Sequence, residues 1–402
     1  MTEPYDLMSK AFFTDPYPTY ARMRAEDPVY RFDPFGGWLL TRAEDVSALL
    51  KARETSSDRV AELFLGMPED LSEEVAALLA FFRDMMAFAD PPYHTRLRSL
   101  VGRTFSARNI AGLEGFVSEA TERLLDECAA KGEFDVIADL GTPLPLRVIG
   151  HILGVREEDL PAFKKWSTDL MALPAMMGEP RERLLNATAA LHNVRALFTG
   201  LIAERRANPT DDLLSLLVHA EEDGESLTDE QLVSTCALIL TAGHETTTHV
   251  IGNGLLALLR HPDQLELLRA QPELAGQAVE ECLRYDNPSG YVARALLTEM
   301  TFSGTTLPAG SVAYGVVGSA NRDGAVFAEP DRFDITRPAS RHFSFGHGLH
   351  MCLGAALARL EARVCLNGLL ERFPTIEPAF DEVEWMPGYA VRGVVSLPVK
   401  VA

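Results

Sequence analysis

The segment from residue 343 to 354, FSFGHGLHMCLG, places one cysteine, Cys352, among three glycines, two histidines and two phenylalanines. A zinc site needs several thiolate or imidazole ligands at short spacing, and no second cysteine lies near this one. A disulfide also lacks a partner, because the five cysteines lie far apart at positions 128, 236, 282, 352 and 365 without a CxxC pair. A nucleophilic thiol beside His350 and a loop cysteine without a role both remain open.

A fifth interpretation of Cys352, an axial ligand to haem iron, fits the local sequence best. A helical pattern follows the cysteine, and the free N–H groups at a helix N-terminus stabilise a thiolate. Gly354 leaves room beside the sulfur for a flat, bulky ligand. Gly346 and Gly348 permit a tight turn with positive φ, and Phe345 offers an aromatic wall. A thiolate in this setting suits haem.

A second group of polar residues interrupts the apolar stretch ALILTAGHETTTH. Gly243, Glu245 and Thr246 fall in the middle of a predicted helix over residues 228–260, which begins with a T-x-x-Q capping box. A glycine in a helix interior costs about 1 kcal/mol, and three consecutive threonines add β-branched strain. We therefore predict a functional break in a buried helix, against the alternative of a locally poor helix with solvated polar residues.

The pattern Phe345-x-x-Gly348-x-x-x-Cys352-x-Gly354 resembles the haem-binding signature of the cytochrome P-450 family. Further motifs occur in the family's order along nearly the whole chain: DPPYHTRLR at 90–98, AGHET at 242–246 and ExxR at 281–284. The resemblance is strongest to the soluble bacterial members of the family.

The resemblance implies a haem b cofactor with Cys352 as the iron ligand, and no flavin or iron–sulfur cluster in this chain. Ala242 and Gly243 would form the oxygen-binding groove, while Thr246 and Glu245 would deliver the protons that oxygen activation consumes. Many members carry Asp where this chain has Glu245. The haem-contacting residues expected from the family, apart from the groove, are Phe345, Gly346, Gly354 and, at the propionates, His94, Arg98, Arg294 and His350.

The ExxR pair, Glu281 and Arg284, lies at i and i+3 on a predicted helix, so the two side chains share a face and can pair bidentately. The resemblance implies a structural rather than catalytic role for this pair. It also implies that Arg332, in the sequence EPDRF, joins them in a buried ion-pair cluster.

The family's substrate pocket is predicted from four apolar and adaptable segments: FFRDMMAFAD, TDLMALPAMMG, the central helix and SGYVAR. Each of these residues could instead belong to the ordinary core. The predicted pocket residues are Met85, Met86, Phe88, Met171, Leu173, Met176, Met177, Tyr291 and Val292. They indicate a lipophilic substrate of moderate size, of the kind found in secondary metabolism.

The formal charge of −21 argues against nucleic acid as a partner, because phosphates would be repelled. The chain starts without a basic and apolar leader and has no apolar run of 18 residues, so we expect a cytoplasmic protein that does not enter membranes. We also expect a separate ferredoxin or flavodoxin-type electron donor, since no such module is fused to the chain. A local basic patch would be needed for docking. Its predicted residues are Arg103, Arg108, Arg337, Arg341, Arg359 and Arg363.

The periodicity predicts a mainly α protein with a smaller β-rich part, of the α+β class. The resemblance implies the cytochrome P-450 fold, with a long central helix over the haem and a Cys-loop helix beneath it. We predict a single domain over residues 1–402. Its helix-rich lobe covers about 90–285 and 350–375, and its β-rich parts cover about 25–60, 290–320 and 380–402.

The resulting expectation is a haem-thiolate monooxygenase that inserts one oxygen atom from O2 into a lipophilic molecule, by hydroxylation or epoxidation, with electrons from NAD(P)H. Two alternatives remain open: a peroxygenase that uses hydrogen peroxide directly, and a non-catalytic haem protein that senses gas or carries haem. The Glu245–Thr246 pair argues against both, because neither needs a proton relay.

Overall fold

A computed structural model describes residues 4–64, 67–174, 179–222, 224–338 and 341–402. Met176 and Met177, predicted for the substrate pocket, lie outside these ranges. The chain forms two compact units. The first contains residues 1–56, 115–144 and 246–402, and the second contains residues 57–114 and 145–245.

Helices cover most of the second unit and a smaller share of the first. Their bounds are α1 Lys10–Thr14, α2 Tyr17–Glu26, α3 Ala43–Lys51, α4 Ser72–Arg83, α5 Tyr93–Thr104, α6 Ala107–Gly112, α7 Glu114–Lys131, α8 Pro143–Ile152, α9 Leu160–Met171, α10 Pro180–Ala207, α11 Leu213–Val218, α12 Asp229–Arg260, α13 Pro262–Ala270, α14 Ala275–Tyr285, α15 Val317–Ala320 and α16 Ala355–Arg372. No helix in the described part of the chain is long and apolar enough to cross a membrane.

The long helix α12 begins where the capping box predicts. The Thr228 N–H donates to Gln231 Oε1 at 3.0 Å, and the Gln231 N–H donates to Thr228 Oγ1 at 3.3 Å. Its 32 residues extend about 48 Å. The predicted break in this helix is wrong, because the backbone stays helical from Asp229 to Arg260.

The first unit contains a five-stranded sheet of order β1-β2-β10-β7-β3 and a three-stranded sheet of order β11-β12-β4. Strands β10 and β2 run parallel, and the other pairs are antiparallel. The strand bounds are β1 Val29–Phe32, β2 Gly37–Leu40, β3 Thr55–Ser56, β4 Glu133–Asp135, β5 Glu221–Glu222, β6 Glu225–Ser226, β7 Tyr291–Leu296, β8 Met300–Phe302, β9 Thr305–Leu307, β10 Val312–Val316, β11 Ile376–Pro378 and β12 Pro398–Val401. Strands β5 and β6, and strands β8 and β9, form separate hairpins.

The five-stranded sheet has apolar clusters on both faces, and strand β10 shows why. Ala313 packs in a cluster with Val46 and Leu49 of α3, whereas Tyr314 and Val316 pack in a cluster with Phe12 and Phe32. Successive side chains of a strand point to opposite faces, so one strand serves two cores. This sheet positions Arg294 of β7 opposite Ala313.

The second unit is built around α10, which packs against α9 and α4. The rings of Phe163 on α9 and Phe198 on α10 lie 6.1 Å apart between centroids in an edge-to-face arrangement. The structure confirms the predicted fold class, mainly α with a smaller β-rich part. The sequence patterns missed the strands at 133–135 and 221–226.

Candidate active site

Cys352 is exposed, whereas the other four cysteines are buried. Burial raises the pKa of the Cys128 thiol to about 12 and raises the pKa values of Cys236, Cys282 and Cys365 as well. These four thiols therefore stay protonated at neutral pH and serve as small apolar groups of the core. Cys352, as the exposed cysteine, is the one that can coordinate a metal ion.

The loop before Cys352 is held by its own backbone. The Cys352 N–H donates to the Phe345 carbonyl at 2.8 Å, and the Gly346 N–H donates to the Phe343 carbonyl at 2.8 Å. Gly348 has a φ of 74° and lies against α3, where a Cβ would come within 2.6 Å of the Leu50 carbonyl oxygen. The loop can close in this way only with glycine at position 348.

Helix α16 begins at Ala355 with Gly354 as its N-cap, so Cys352 lies two residues before the cap. A Cβ on Gly354 would meet no atom within 4 Å, so the backbone beside the sulfur is open on that side. An exposed thiol, a helix N-terminus and an open approach are the features that a haem-thiolate ligand needs. The residues of this loop fit haem.

A charged cluster of Glu280 on α14, Arg359 on α16 and His342 lies beside Phe345. Arg359 Nε and Nη2 donate to the two carboxylate oxygens of Glu280 at 2.5 and 2.9 Å, and the Arg359 guanidinium carbon lies 4.4 Å from the centre of the Phe345 ring. His342 Nδ1 accepts the Ser344 N–H at 3.2 Å, and its Nε2 lies 3.3 Å from Glu280 Oε2. The side chain and the carbonyl of Phe345 are thus both fixed beside Cys352.

Burial alone would raise the pKa of Glu280, but the contacts from His342 and Arg359 outweigh it and lower this pKa to about 2. The ordinary value is 4.5, so the carboxylate stabilises the fold fully above about pH 4.5 and loses that contribution as the pH falls through about 2.

We expect Glu280→Gln to remove this part of the acid sensitivity. Between about pH 4.5 and 2, the unfolding free energy of the wild type should fall by about 1–2 kcal/mol more than that of the variant. This range allows for solvent, which reaches the partly exposed Arg359 side chain and screens the ion pair. Urea unfolding at a series of pH values measures this difference. Glu377→Gln, at an exposed position on β11, is the matched control. Parallel pH profiles for Glu280→Gln and the wild type would contradict the assignment.

The ExxR pair is fully formed. Arg284 Nε and Nη2 donate to Glu281 at 2.7 and 2.8 Å, and both side chains are almost completely buried. The remaining donors of Arg284 reach the backbone carbonyls of Asn321, Pro330 and Arg332 at 2.7–3.1 Å. The guanidinium therefore ties α14 to the chain segment that leads to the cysteine loop.

The predicted third member of this cluster is corrected by the structure. The side chain of Arg332 is 58% exposed and pairs with Glu329 and Asp334, while its carbonyl accepts from Arg284. Arg337 takes the expected place, with Nε 3.2 Å from Glu281 Oε2 and its side chain mostly buried. The reason is geometric: the turn that presents the carbonyl of residue 332 inward points that residue's side chain to solvent.

On α12, the predicted groove residues occupy one helical stretch, with Ala242 exposed and Gly243, Glu245 and Thr246 half-buried. Gly243 allows close packing of α8, because a Cβ there would lie 2.5 Å from Ile149 Cδ1. Burial raises the pKa of Glu245, and Lys164 offsets this only in part. A carboxyl group with a raised pKa is suited to passing protons near neutral pH.

The four cations predicted for the propionates are divided between the units. His94, which is buried, and Arg98 lie on α5 in the second unit. Arg294, on β7, and His350, in the cysteine loop, lie in the first unit. Their convergence on one cofactor stays a prediction.

The predicted pocket residues differ in their surroundings. Met85, Met86 and Leu173 are buried, and Met171 and Phe88 are half-buried in the second unit. Tyr291 and Val292 are half-buried in the first unit. Tyr291 packs against the cluster of Phe12 and Phe32 on one face of the sheet, and Val292 packs against the cluster of Val46 and Leu49 on the other. Part of each side chain therefore belongs to the core.

The sequence patterns do not predict the loop at 385–394, which lies against β7. Val391 forms an isolated β-bridge with Ser289, and a Cβ on Gly290 would collide with the Tyr389 carbonyl. This loop therefore lies against the start of β7, beside the predicted pocket residue Tyr291. The glycines at 388 and 393, with Pro387 beside the first, were the available signal for a tight loop.

A model of the cytochrome P450 family matches residues 60–398. The chain belongs to the cytochrome P450 family. It is similar to the biotin biosynthesis cytochrome P450 of Bacillus subtilis, with 38% identity over 401 residues and 99% of each chain covered. It is also similar to the cytochrome P450 monooxygenase PikC of Streptomyces venezuelae, with 40% identity over 98% of this chain and 92% of that protein.

Solved structures agree with this assignment. P450BioI in complex with an acyl carrier protein that carries hexadec-9Z-enoic acid has a TM-score of 0.90 at 37% identity, covering 98% of this chain and 99% of that one. The myxobacterial CYP267B1 in complex with myristic acid has a TM-score of 0.88 at 37% identity, covering 98% of both chains. The predicted family, fold and enzyme class are confirmed: the chain is an oxidoreductase of a family that holds haem iron through a thiolate.

Proposed function

We propose that this protein is a monooxygenase that inserts one oxygen atom from O2 into a C–H or C=C bond of a lipophilic small molecule in secondary metabolism. The observation that carries the proposal is Cys352, an exposed cysteine held by a glycine loop just before a helix. Relatives named polyketide biosynthesis cytochrome P450 PksS and 6-deoxyerythronolide B hydroxylase support the metabolic setting.

When haem b is bound, it supplies the chemistry that activates oxygen. Cys352 is the residue that would hold the iron, with its thiolate stabilised by the helix N-terminus. Phe345 would lie beside the thiolate, since its carbonyl accepts the Cys352 N–H and its ring is contacted by Arg359, which Glu280 holds. His94, Arg98, Arg294 and His350 would bind the propionates through charge-assisted hydrogen bonds.

Proton delivery is the task of α12 in this proposal. The Thr246 hydroxyl donates one proton while accepting another from water, and Glu245 passes protons inward from solvent. Burial keeps the pKa of Glu245 above its ordinary value, which brings its titration closer to neutral pH. The side chains of Glu245 and Thr246 are both half-buried, so they can exchange protons with solvent while α12 stays helical.

Electrons would come from NAD(P)H through a ferredoxin or flavodoxin-type partner that docks on a local basic patch. Arg103, Arg108 and Arg341 are exposed, and Arg359 and Arg363 are half-buried. Arg337 and Arg359 are removed from this patch, because their guanidinium groups are engaged by Glu281 and Glu280.

Thr246→Ala tests the proton step. Without the hydroxyl, the proton donor at position 246 is lost, and the reduced oxygen should be released as hydrogen peroxide. Reductant consumption should then stay near the wild-type rate while product per reductant falls about tenfold or more. Product, peroxide and NAD(P)H are measured together, with a surrogate ferredoxin system and a substrate chosen from a panel of lipophilic compounds by its binding spectrum.

Thr246→Ser is the matched control and should keep most of the coupling, since its hydroxyl survives. Glu245→Gln, which removes the ionisable group, should slow reductant consumption itself. Equal coupling in Thr246→Ala and the wild type would show that protons take another route.

A further inference from the structure

The ring of Phe345 is contacted by two side chains, and one carboxylate lies against both of them. The His342 ring lies 5.8 Å from the Phe345 ring between centroids, and the Arg359 guanidinium carbon lies 4.4 Å from the centre of the same ring. Glu280 Oε1 accepts from Arg359 Nε at 2.5 Å, and Glu280 Oε2 lies 3.3 Å from His342 Nε2. A single acid therefore controls the charge that faces this ring.

Phe345 also makes the backbone contact to the predicted iron ligand. Its carbonyl accepts the Cys352 N–H at 2.8 Å. Continuous contacts therefore join the cysteine, the phenylalanine, the guanidinium and the carboxylate, and all of these residues lie in the first unit. A net charge on Arg359 would act on the thiolate across an aromatic ring, where Coulomb interactions are screened less than in water.

Glu280 balances the charge of Arg359. Arg359 Nε and Nη2 donate to the two carboxylate oxygens in a bidentate pair, and the Glu280 side chain is only 23% exposed. Burial opposes the ionisation of this carboxyl, but the contacts from His342 and Arg359 outweigh burial and lower its pKa to about 2. At neutral pH the pair therefore carries one charge of each sign beside the ring.

The loop backbone before the ring is held by contacts that do not involve Glu280. The Phe343 N–H donates to Asn321 Oδ1 at 2.7 Å, and Asn321 Nδ2 donates to the Ser344 hydroxyl at 2.9 Å. The same hydroxyl donates to the Leu283 carbonyl at 2.6 Å. Neutralising Glu280 should therefore change the charge beside the ring more than it changes the path of the backbone.

We propose that Glu280 is a positioning residue that sets the reduction potential of the thiolate-ligated haem iron, because it holds and neutralises Arg359 beside Phe345. The inference rests on the proposed function, since it takes Cys352 as the iron ligand. Reduction adds a negative charge at the iron, so an uncompensated cation nearby favours the reduced state and an uncompensated anion disfavours it. With both members of the pair present, the two effects oppose each other.

The test is a spectroelectrochemical titration of the purified haem-loaded protein at pH 7 without substrate. At a fixed applied potential, Glu280→Gln should raise the ratio of reduced to oxidised iron about three- to tenfold over the wild type. A tenfold change corresponds to about 59 mV for a one-electron couple. Arg359→Met should change the ratio by a similar factor in the opposite direction. Solvent at the partly exposed Arg359 side chain limits both effects.

The opposite signs separate the effect of charge from a purely structural role. If the pair only held the ring in place, both substitutions would disturb it alike and shift the potential in the same direction. The double variant Glu280→Gln/Arg359→Met is neutral, so its ratio should return to within about twofold of the wild type. Shifts of the same sign, or a double variant that does not return, would overturn the proposal.

Arg359→Lys provides a second check that keeps the positive charge and loses the planar fork. Its ratio should stay within about twofold of the wild type. A shift as large as that of Arg359→Met would show that the contact with the ring matters rather than the charge, which overturns the proposal even where Glu280→Gln does not retain haem.

Asp126→Asn is the matched control. Asp126 pairs with Arg372 at 2.9 Å on the same helix, α16, about 20 Å along the axis from Arg359. This distance exceeds the Debye length of about 10 Å at 0.1 M salt, so the freed Arg372 should leave the potential unchanged. A shift equal to that of Glu280→Gln would show a response to net charge alone and would contradict the assignment.

The titration does not depend on turnover, so its outcome is separate from that of the proposed function. Absence of product despite the expected shifts in potential would count against the monooxygenase assignment alone. Absence of the long-wavelength band from the reduced, carbon monoxide-bound wild type would remove the thiolate ligand, and the inference would fail with it.

Discussion

Replacing Cys352 with His should abolish the long-wavelength band of the reduced, carbon monoxide-bound protein, the band that gives the family its name. A neutral imidazole can hold iron, but it lacks the negative charge of the thiolate that produces this band. The expected loss is complete, and product formation with an external electron donor should fall with it. The measurement is the difference spectrum of purified wild type and variant at matched haem content.

Cys365→Ala is the matched control for this substitution. Cys365 lies on α16, the helix that begins beside the cysteine loop, but it is buried and its thiol stays protonated. The variant should keep the band and lose only the stability that a small buried side chain contributes. Persistence of the band in Cys352→His would overturn the ligand assignment.

Glu281→Gln should cost about 3–5 kcal/mol of unfolding free energy, a large share of the 5–15 kcal/mol that is typical of a domain. Removing the carboxylate leaves the Arg284 guanidinium buried with carbonyl acceptors only, and it also deprives Arg337 of its acid. Urea unfolding and the fraction of protein purified with haem both report this loss.

Glu329→Gln controls for the removal of a carboxylate from the same neighbourhood. Glu329 is exposed and pairs with the exposed Arg332, so its loss should cost under about 0.5 kcal/mol. Arg284→Lys should be nearly as damaging as Glu281→Gln, because one ammonium cannot replace a bidentate fork and three further hydrogen bonds. Equal stability of Glu281→Gln and Glu329→Gln would contradict the structural role of the ExxR pair.

Local signals predicted the elements that hold the site. The capping box of Thr228 and Gln231 fixed the start of α12 correctly because both partners lie within one helical turn. The glycines around Cys352 predicted a tight loop, since positive φ is a property of single residues. Such features depend on neighbours a few positions away and are visible in the chain itself.

Features that depend on distant packing were missed. The break predicted at Gly243 does not interrupt α12, and this glycine instead makes room for Ile149 of α8. Arg337 rather than Arg332 pairs with Glu281, because the turn between them directs the side chain of Arg332 to solvent. The spacing of residues along the sequence does not show which way such a turn directs its side chains.

The strand β12 between β11 and β4 has a consequence for synthesis on the ribosome. Strand β4 ends at Asp135, and its partner β12 begins at Pro398, so β4 waits for more than 260 residues to be made. At 5–20 residues per second, this interval is about 13–50 s. The second unit has all its residues once position 245 is reached, whereas the first unit needs segments from three parts of the chain. The second unit can thus collapse during translation, while the edge of β4 stays unpaired and open to chaperones until residues near 400 emerge.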